Sequence, residues 1–463
     1  MKTHRFALIT VIMALVLTCV TEGQTADTTR MIDRLFSQYH NAMPGVSVAI
    51  ARDGKTIYSK AFGLAEMEHL VPNTTGTIFE AGSVSKQFVA AAVMLLIQEG
   101  RVSVNDDVRK YVPELPQYDA PITIRHLLSH TSGLKDWGSL YGLTGWPRTT
   151  RVYTQELGWD IIFRQKSLNF TPGSQYSYSN SNYMMLVLIT ERVSGQSLAD
   201  FTRERFFEPL GMKDTRWRDN QREIVPHRAI AYSGNEGRFL KNMPNENLHG
   251  PGGLLTTTAD LLRWNQLLET PEIFNSETAL LRIEPGLLTS GRSSDYAAGL
   301  MIGEWNGFGE ISHSGSTGGY RAWLAYYPEK KLSVAILSNH ASFNPSGVGR
   351  SIAGIFMGTP PSEQRTTLRA TRPEPYVPDT DLNIYSGTYY SEDIDVYYKL
   401  ELRDNEVWVY RKAGDTFRLT PTGYDEFAAG GSGTYRFIRD RRGRITGFTI
   451  SVSRAENVPF MKL

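Results

Sequence analysis

In Ser83-Val84-Ser85-Lys86 a hydroxyl and an amine stand three residues apart, a spacing that puts both on one face of a helix, one turn from each other. An amine so placed can take the serine proton and activate the oxygen as a nucleophile. At a helix start the serine's own N–H is an unpaired donor and the dipole favours negative charge, which makes half of an oxyanion hole. The pattern alone decides little. Chance gives about one Ser-x-x-Lys in a chain of this composition. Ser132 to Lys135 is a second one; with Gly133 inside it, it reads as a turn and helix stop. Ser83 also fits an N-cap serine, although an N-cap does not require Lys86, and a buried lysine needs a partner or a lowered pKa.

Pro172 to Asn180 forms a second cluster, a loop that delivers Tyr178 and Asn180 just before a helix expected to start near Asn182. A tyrosine whose phenolate is stabilised by ammonium groups can act as general base and return the proton to a leaving group. The Asn180 amide can hold Lys86 and a substrate carbonyl. The alternative is an ordinary turn and helix cap; Tyr39-His40-Asn41 shares the Tyr-x-Asn spelling and reads as a helix end. The third cluster is Ile311-Ser312-His313-Ser314-Gly315-Ser316-Thr317-Gly318-Gly319-Tyr320, a strand running into a glycine turn. Glycines such as Gly315 let backbone approach a ligand closely, so the Ser316 N–H can complete the oxyanion hole opposite Ser83. His313 would then face the same cavity, unless it is a satisfied structural histidine. His126 and His130, four apart, could ligate a metal on a helix. No third ligand is evident, so packing is expected of them, with no metal and no cofactor.

These residues need elements to hold them. Ser83 to Glu99 is apolar nearly all round and stopped by Gly100, the pattern of a helix in the middle of a domain. Before it come a helix carrying Met31, Ile32, Leu35, Phe36 and Tyr39, and a hairpin in which Val46, Val48 and Ile50 alternate up to an Asp53-Gly54 turn. Further helices are expected at Ile124 to His130, Asn182 to Val193, Leu198 to Phe206, Thr258 to Leu268 and Gly349 to Met357. Strands return at Gly299 to Trp305, Gly319 to Tyr327 and Leu332 to Ser338. Strands at both ends with helices between predict an α+β fold: one antiparallel sheet joined by the first and last segments, flanked by helices, with an all-helical cluster beside it. Residues 359–380, rich in proline, read as a linker. Residues 381–463 show about eight short alternating strands, which predicts a small closed barrel.

The three clusters, in this order and spacing, resemble the penicillin-recognising serine hydrolases: class C β-lactamases, their DD-peptidase and D-aminopeptidase relatives, and related esterases. The resemblance spans Pro44 to Gly358 and includes the segments Ile122 to Leu134 and Gly252 to Thr257. It implies a β-lactamase/transpeptidase-like domain over residues 24–358. It further implies that Ser83 is acylated, Lys86 and Tyr178 move protons, Asn180 orients substrate, and the Ser83 and Ser316 N–H groups bind the oxyanion. The barrel resembles the lipocalin-like domain that some relatives append. One departure matters: class C β-lactamases usually carry lysine in the third cluster, whereas this chain has His313. A histidine is mostly neutral at pH 7 to 8 and anchors a carboxylate less strongly. D-residue peptides or small esters are therefore expected as substrates, with β-lactams turned over poorly.

Composition agrees. The chain has 463 residues with Lys plus Arg 49 against Asp plus Glu 48, so it lacks the basic field that dominates nucleic-acid affinity, and no nucleic-acid partner is expected. Its one cysteine, Cys19, rules out a disulfide framework. Lys2 and Arg5 precede an apolar stretch from Phe6 to Thr18, which reads as a secretory signal peptide over residues 1–23, hence a secreted or periplasmic location. The stretch is short for a bilayer span, so no stable membrane anchor is expected in the mature chain. The oligomeric state is not legible. A rival reading is a catalytically idle module that senses cell-wall peptides; an idle chain should lack one of Ser83, Lys86, Tyr178 and Asn180, and all are present.

Overall fold

Alternation in Val46–Arg52 (β1) sorts side chains by size, with Val46, Val48 and Ile50 in one core and Ala49 and Ala51 in the other. The computed structural model describes residues 27–147, 150–235, 237–358, 376, 381–412, 414–430 and 433–463. The expected signal segment 1–23 and all of the expected linker 359–380 except Tyr376 lie outside them. β1 returns through Lys55–Phe62 (β2), and Asp53 and Gly54 take positive φ of 48° and 70°, as a two-residue hairpin turn requires.

The main sheet is antiparallel throughout. Its other strands are Met301–Trp305 (β3), Phe308–Thr317 (β4), Tyr320–Tyr327 (β5) and Leu332–Ser338 (β6), in the order β3-β4-β5-β6-β1-β2. β1 pairs β6 with Val46 opposite Ser338, so the first and last segments do share the sheet. On the face with the larger side chains lie a helix over 27–35 (α1) and the helix Pro345–Met357; Ile32, Phe36, Ile352 and Ala353 pack there with Tyr327 and Ile336. Met31, expected on the buried stripe, is 43% exposed. On the small-residue face the helix Thr258–Gln266 comes close enough for Thr258 and Ser47 to share a hydrogen bond of 3.1 Å.

Lys86–Gln98 (α2) is buried at every residue from Lys86 to Leu96, and Gly100 at φ 70° ends the segment. Its start differs from expectation. Gly82–Ser85 forms a separate 3-10 turn without any side-chain cap, so Ser83 is not an N-cap serine. The helical cluster comprises Ile124–Leu128 (α3), Trp137–Leu143 (α4), Gln155–Phe163 (α5) and Asn180–Ser194 (α6). The sequence from Lys135 to Phe170, with Trp137, Tyr141 and Trp146, reads as loops lining the cleft, whereas the structure places α4 and α5 within it. Their signal is in the caps: the Asp136 carboxylate accepts from the Ser139 N–H and the Thr154 hydroxyl from the Leu157 N–H.

The C-terminal strands are Gly387–Ser391 (β7), Val396–Arg403 (β8), Glu406–Lys412 (β9), Asp415–Gly423 (β10), Glu426–Ala428 (β11), Thr434–Arg439 (β12), Ile445–Val452 (β13) and Ala455–Lys462 (β14). They close into a barrel where Tyr389 faces Lys462 and Tyr390 faces Met461. Tyr389, Tyr398, Tyr435, Phe437, Phe448 and Phe460 are buried within it, so rings fill the interior as in other small barrels. The barrel docks on the helical cluster: the Tyr398 hydroxyl donates to the Leu143 carbonyl at 2.5 Å and Gln165 Nε2 donates to the Asp393 carbonyl at 2.9 Å. Among the described residues no helix is long and apolar enough to cross a membrane.

Candidate active site

The 3-10 turn aims Ser83 into a cleft of about 820 Å³ and sets Lys86 beneath it. Lys86 is fully buried, and its Nζ lies 3.2 Å from Ser83 Oγ, 2.9 Å from Asn180 Oδ1 and 3.1 Å from the Pro251 carbonyl oxygen. Burial brings its amine down to about 7; the negative charges of Asp136 and Glu246 pull upward, while the Arg454 cation pushes further down. About half the amine is then uncharged near neutral pH.

Asn180 reaches Lys86 because α6 begins two residues earlier than its hydrophobic pattern suggests, placing Asn180 in the first turn. Its N–H donates to Asp136 Oδ2 at 2.8 Å, and the same carboxylate caps α4. The loop before α6 is held by His130: its carbonyl accepts from the Ser177 N–H at 3.0 Å and its Nδ1 from the Ser179 N–H at 3.2 Å. Thus held, Tyr178 presents a buried hydroxyl to Ser83, interacting with it but short of full hydrogen-bond geometry. Catalytic hydrogen bonds are often long until substrate arrives. Burial pushes the Tyr178 phenol up from its usual value, so it is protonated in the resting site. His126 and His130 are framework, as their spacing allows: His126 Nδ1 accepts from the Thr123 N–H, closing a capping box at α3.

β4 supplies the opposite wall. A Cβ on Gly315 would fall 2.0 Å from the Ala81 carbonyl oxygen, and one on Gly82 would fall 2.6 Å from Ser316 N. Both glycines are thus needed for the strand to lie against the Gly82–Ser85 turn, with Ser316 N packed on Gly82 and Ser316 lining the same cleft as Ser83. His313 lines the cleft but is turned inward. Its Nδ1 donates to the Ser314 carbonyl at 2.6 Å and its Nε2 accepts from the Tyr296 hydroxyl at 2.9 Å. Burial, then the nearby Lys86 charge, brings the ring down to about 3, so it is neutral and its polar atoms are committed.

Behind Ser83, the buried Glu80 accepts from Arg218 Nε and Nη2 at 3.1 Å, from Arg228 Nη2 at 3.3 Å and from the Gly253 N–H at 3.2 Å. That anchors the turn whose Pro251 carbonyl meets Lys86. Glu80, Asp136 and Tyr296 carry no motif of their own; only the capping position of Asp136 was legible locally. Ser83, Lys86, Tyr178, Asn180, Gly315 and Ser316 converge on the cleft from three separate segments. Ser132 stays apart, donating to Asn182 Oδ1 at 2.6 Å.

Residues 32–354 match the beta-lactamase family. The chain belongs to the beta-lactamase family of serine hydrolases. A penicillin-binding protein of Bacillus subtilis is 30% identical over 307 residues, which cover 63% of this chain and 67% of that protein. A D-aminopeptidase of Brucella anthropi is 29% identical over 333 residues, 70% of this chain, and the match spans 61% of the aminopeptidase's own length. Among solved structures, the octameric penicillin-binding protein homologue from Pyrococcus abyssi superposes with a TM-score of 0.65 at 24% identity, covering 94% of this chain and 99% of that one. That likeness extends the shared beta-lactamase fold to the appended barrel.

Proposed function

We propose that the protein hydrolyses amide or ester bonds through an acyl-enzyme on Ser83, with D-residue peptides or small esters as substrates and β-lactams turned over poorly. The observation that carries this reading is the Lys86 hydrogen-bond set. A neutral amine has two hydrogens and one lone pair. Asn180 Oδ1 and the Pro251 carbonyl can only accept, so they take the hydrogens, and the lone pair is left for the Ser83 hydroxyl.

Ser83 Oγ attacks the substrate carbonyl as its proton passes to Lys86 Nζ. The oxyanion is held by the Ser83 and Ser316 N–H groups, preorganised by the tight contact of β4 with the nucleophile turn. Lys86, now an ammonium, returns the proton through the Tyr178 hydroxyl to the leaving nitrogen or oxygen, and the C–N or C–O bond breaks. Water then attacks the ester on Ser83 with the same groups running in reverse, and Ser83 regains its proton. Asn180 Oδ1 holds Lys86, leaving its amide N–H groups to orient the substrate. The D-residue preference is supported by the D-aminopeptidase relatives, and weak β-lactam turnover by the neutral, inward-facing His313. A secreted or periplasmic site of action is supported by Lys2, Arg5 and the apolar run after them.

The test is intact-protein mass spectrometry after adding a p-nitrophenyl ester or penicillin, followed by peptide mapping. An acyl adduct on the Ser83 peptide is expected, absent from Ser83→Ala. No adduct with either reagent would sink the enzymatic reading in favour of a binding module.

A further inference from the structure

One residue lining the cleft comes from the barrel. Arg454 sits in the turn between β13 and β14, and its backbone is fixed to the catalytic domain on two sides. The Arg454 carbonyl accepts from the Asp136 N–H at 2.9 Å and from Asn169 Nδ2 at 3.1 Å, and Glu456 N–H donates to Asn169 Oδ1 at 2.8 Å. The Arg454 side chain crosses Tyr178, its guanidinium carbon 5.0 Å from the ring centroid; Lys86 Nζ is 4.9 Å from the same point.

The charges of the cleft single this residue out. Arg350, the other arginine lining it, is matched by two bonds to Glu310 at 2.7 and 3.0 Å. Lys86 donates to groups already described, and His313 is neutral. Arg454 has no hydrogen bond from its guanidinium and no carboxylate within 4 Å among the described residues. Elsewhere the lining includes the carboxylates of Glu246, Asp295 and Glu304, so a substrate anion has one favourable place to go. A guanidinium stacked on an aromatic face is preorganised, and its planar fork matches a carboxylate with two bonds. Next to a buried lysine such a cation is unfavourable unless something anionic compensates it.

We propose that Arg454 is the carboxylate-recognising residue of this cleft, so that the barrel completes the active site for substrates with a free carboxylate on the leaving-group side. The side follows from Tyr178: Arg454 lies over the phenol that returns the proton to the leaving atom. This rests on the hydrolase reading above, and it gives the barrel a part in specificity rather than in chemistry.

The experiment compares two substrates that differ only at that end, N-acetyl-D-alanyl-D-alanine and its C-terminal carboxamide, on the full-length wild type, Arg454→Gln and Arg454→Lys. The readout is the ratio of their kcat/KM values. A change in the Lys86 environment affects both substrates alike and cancels in the ratio. The wild type should prefer the carboxylate by about 10- to 100-fold, the range of a charge-assisted pair, expressed mainly in KM. Arg454→Gln should bring the ratio near one, and Arg454→Lys should restore part of it. Thermal melts of both variants check that the hairpin remains docked. A ratio near one in the wild type, or a preference unchanged in Arg454→Gln, overturns the proposal while leaving Ser83 chemistry intact. Failure of the wild type to turn over either substrate or to form an ester adduct overturns the hydrolase reading, and this proposal with it.

Discussion

Lys86 and the Tyr178 hydroxyl are both buried, and burial acts on them in opposite directions because it penalises whichever form is charged. The amine comes down to about 7 and the phenol goes up, so both are predominantly neutral in mildly alkaline buffer. In the proposed mechanism the lysine therefore serves as general base, and the tyrosine as proton donor and relay. A neutral amine is required, so kcat/KM for a neutral ester should fall about tenfold per pH unit below pH 7 and level off above it. Asp136→Asn removes a negative charge that favours the ammonium and should move that limb to lower pH. A limb that stays in place when Asp136 is neutralised would argue against Lys86 as the titrating group. Tyr178→Phe tests the donor: amide hydrolysis, whose leaving nitrogen must be protonated, should slow by about 100- to 10,000-fold. p-Nitrophenyl esters, whose leaving group departs as an anion, should lose far less. Equal losses on both substrates in steady-state assays would assign Tyr178 to the attack step instead.

Two contacts between elements set the site: β4 against the Gly82–Ser85 turn, and α6 against α2 through Asn180 and Lys86. Gly315→Ala would drive a methyl to within 2.0 Å of the Ala81 carbonyl. β4 must then retreat, carrying the Ser316 N–H away from the oxyanion position. Loss of one such donor costs about 100- to 1,000-fold in kcat, so kcat should collapse while far-UV circular dichroism stays native. Retained kcat would mean that the oxyanion is held elsewhere. At this scale the sequence was informative where periodicity and glycine turns coincide. The sheet with joined ends, α2 and nearly every barrel strand follow from alternation or an all-round apolar run. It was uninformative where short helices carry glycine, serine and aromatic residues, as in Trp137-Gly138-Ser139, because propensity there is weak and tertiary packing decides. Ser83, Lys86 and the third cluster were legible as motifs. Asp136, Glu80 and Arg454 were not, since each acts through contacts with segments remote in the chain.

Across the whole molecule the barrel and the catalytic domain share one contiguous apolar core, and their polar contacts are of two kinds. At the rim, Lys166 and Glu392 pair at 2.5 Å with side chains 65% and 70% exposed. Such pairs trade water for one another and are worth about 0–1 kcal/mol. Deeper in, the buried Tyr398 hydroxyl, reaching out from the barrel, donates to the Leu143 carbonyl at the end of α4. Removing that donor strands a carbonyl away from water, which costs about 1–3 kcal/mol. Lys166→Ala should therefore leave the urea midpoint nearly unchanged, whereas Tyr398→Phe should lower it clearly. The consequence for function follows from the path of the chain. Asp136 caps α4, with its N–H bonded to the Arg454 carbonyl and its carboxylate holding Asn180. If the interface supports the site, Tyr398→Phe should also weaken turnover of carboxylate-bearing peptides at temperatures well below its melting transition. If the interface is only adhesive, stability will fall and the kinetic constants at 25 °C will match those of the wild type.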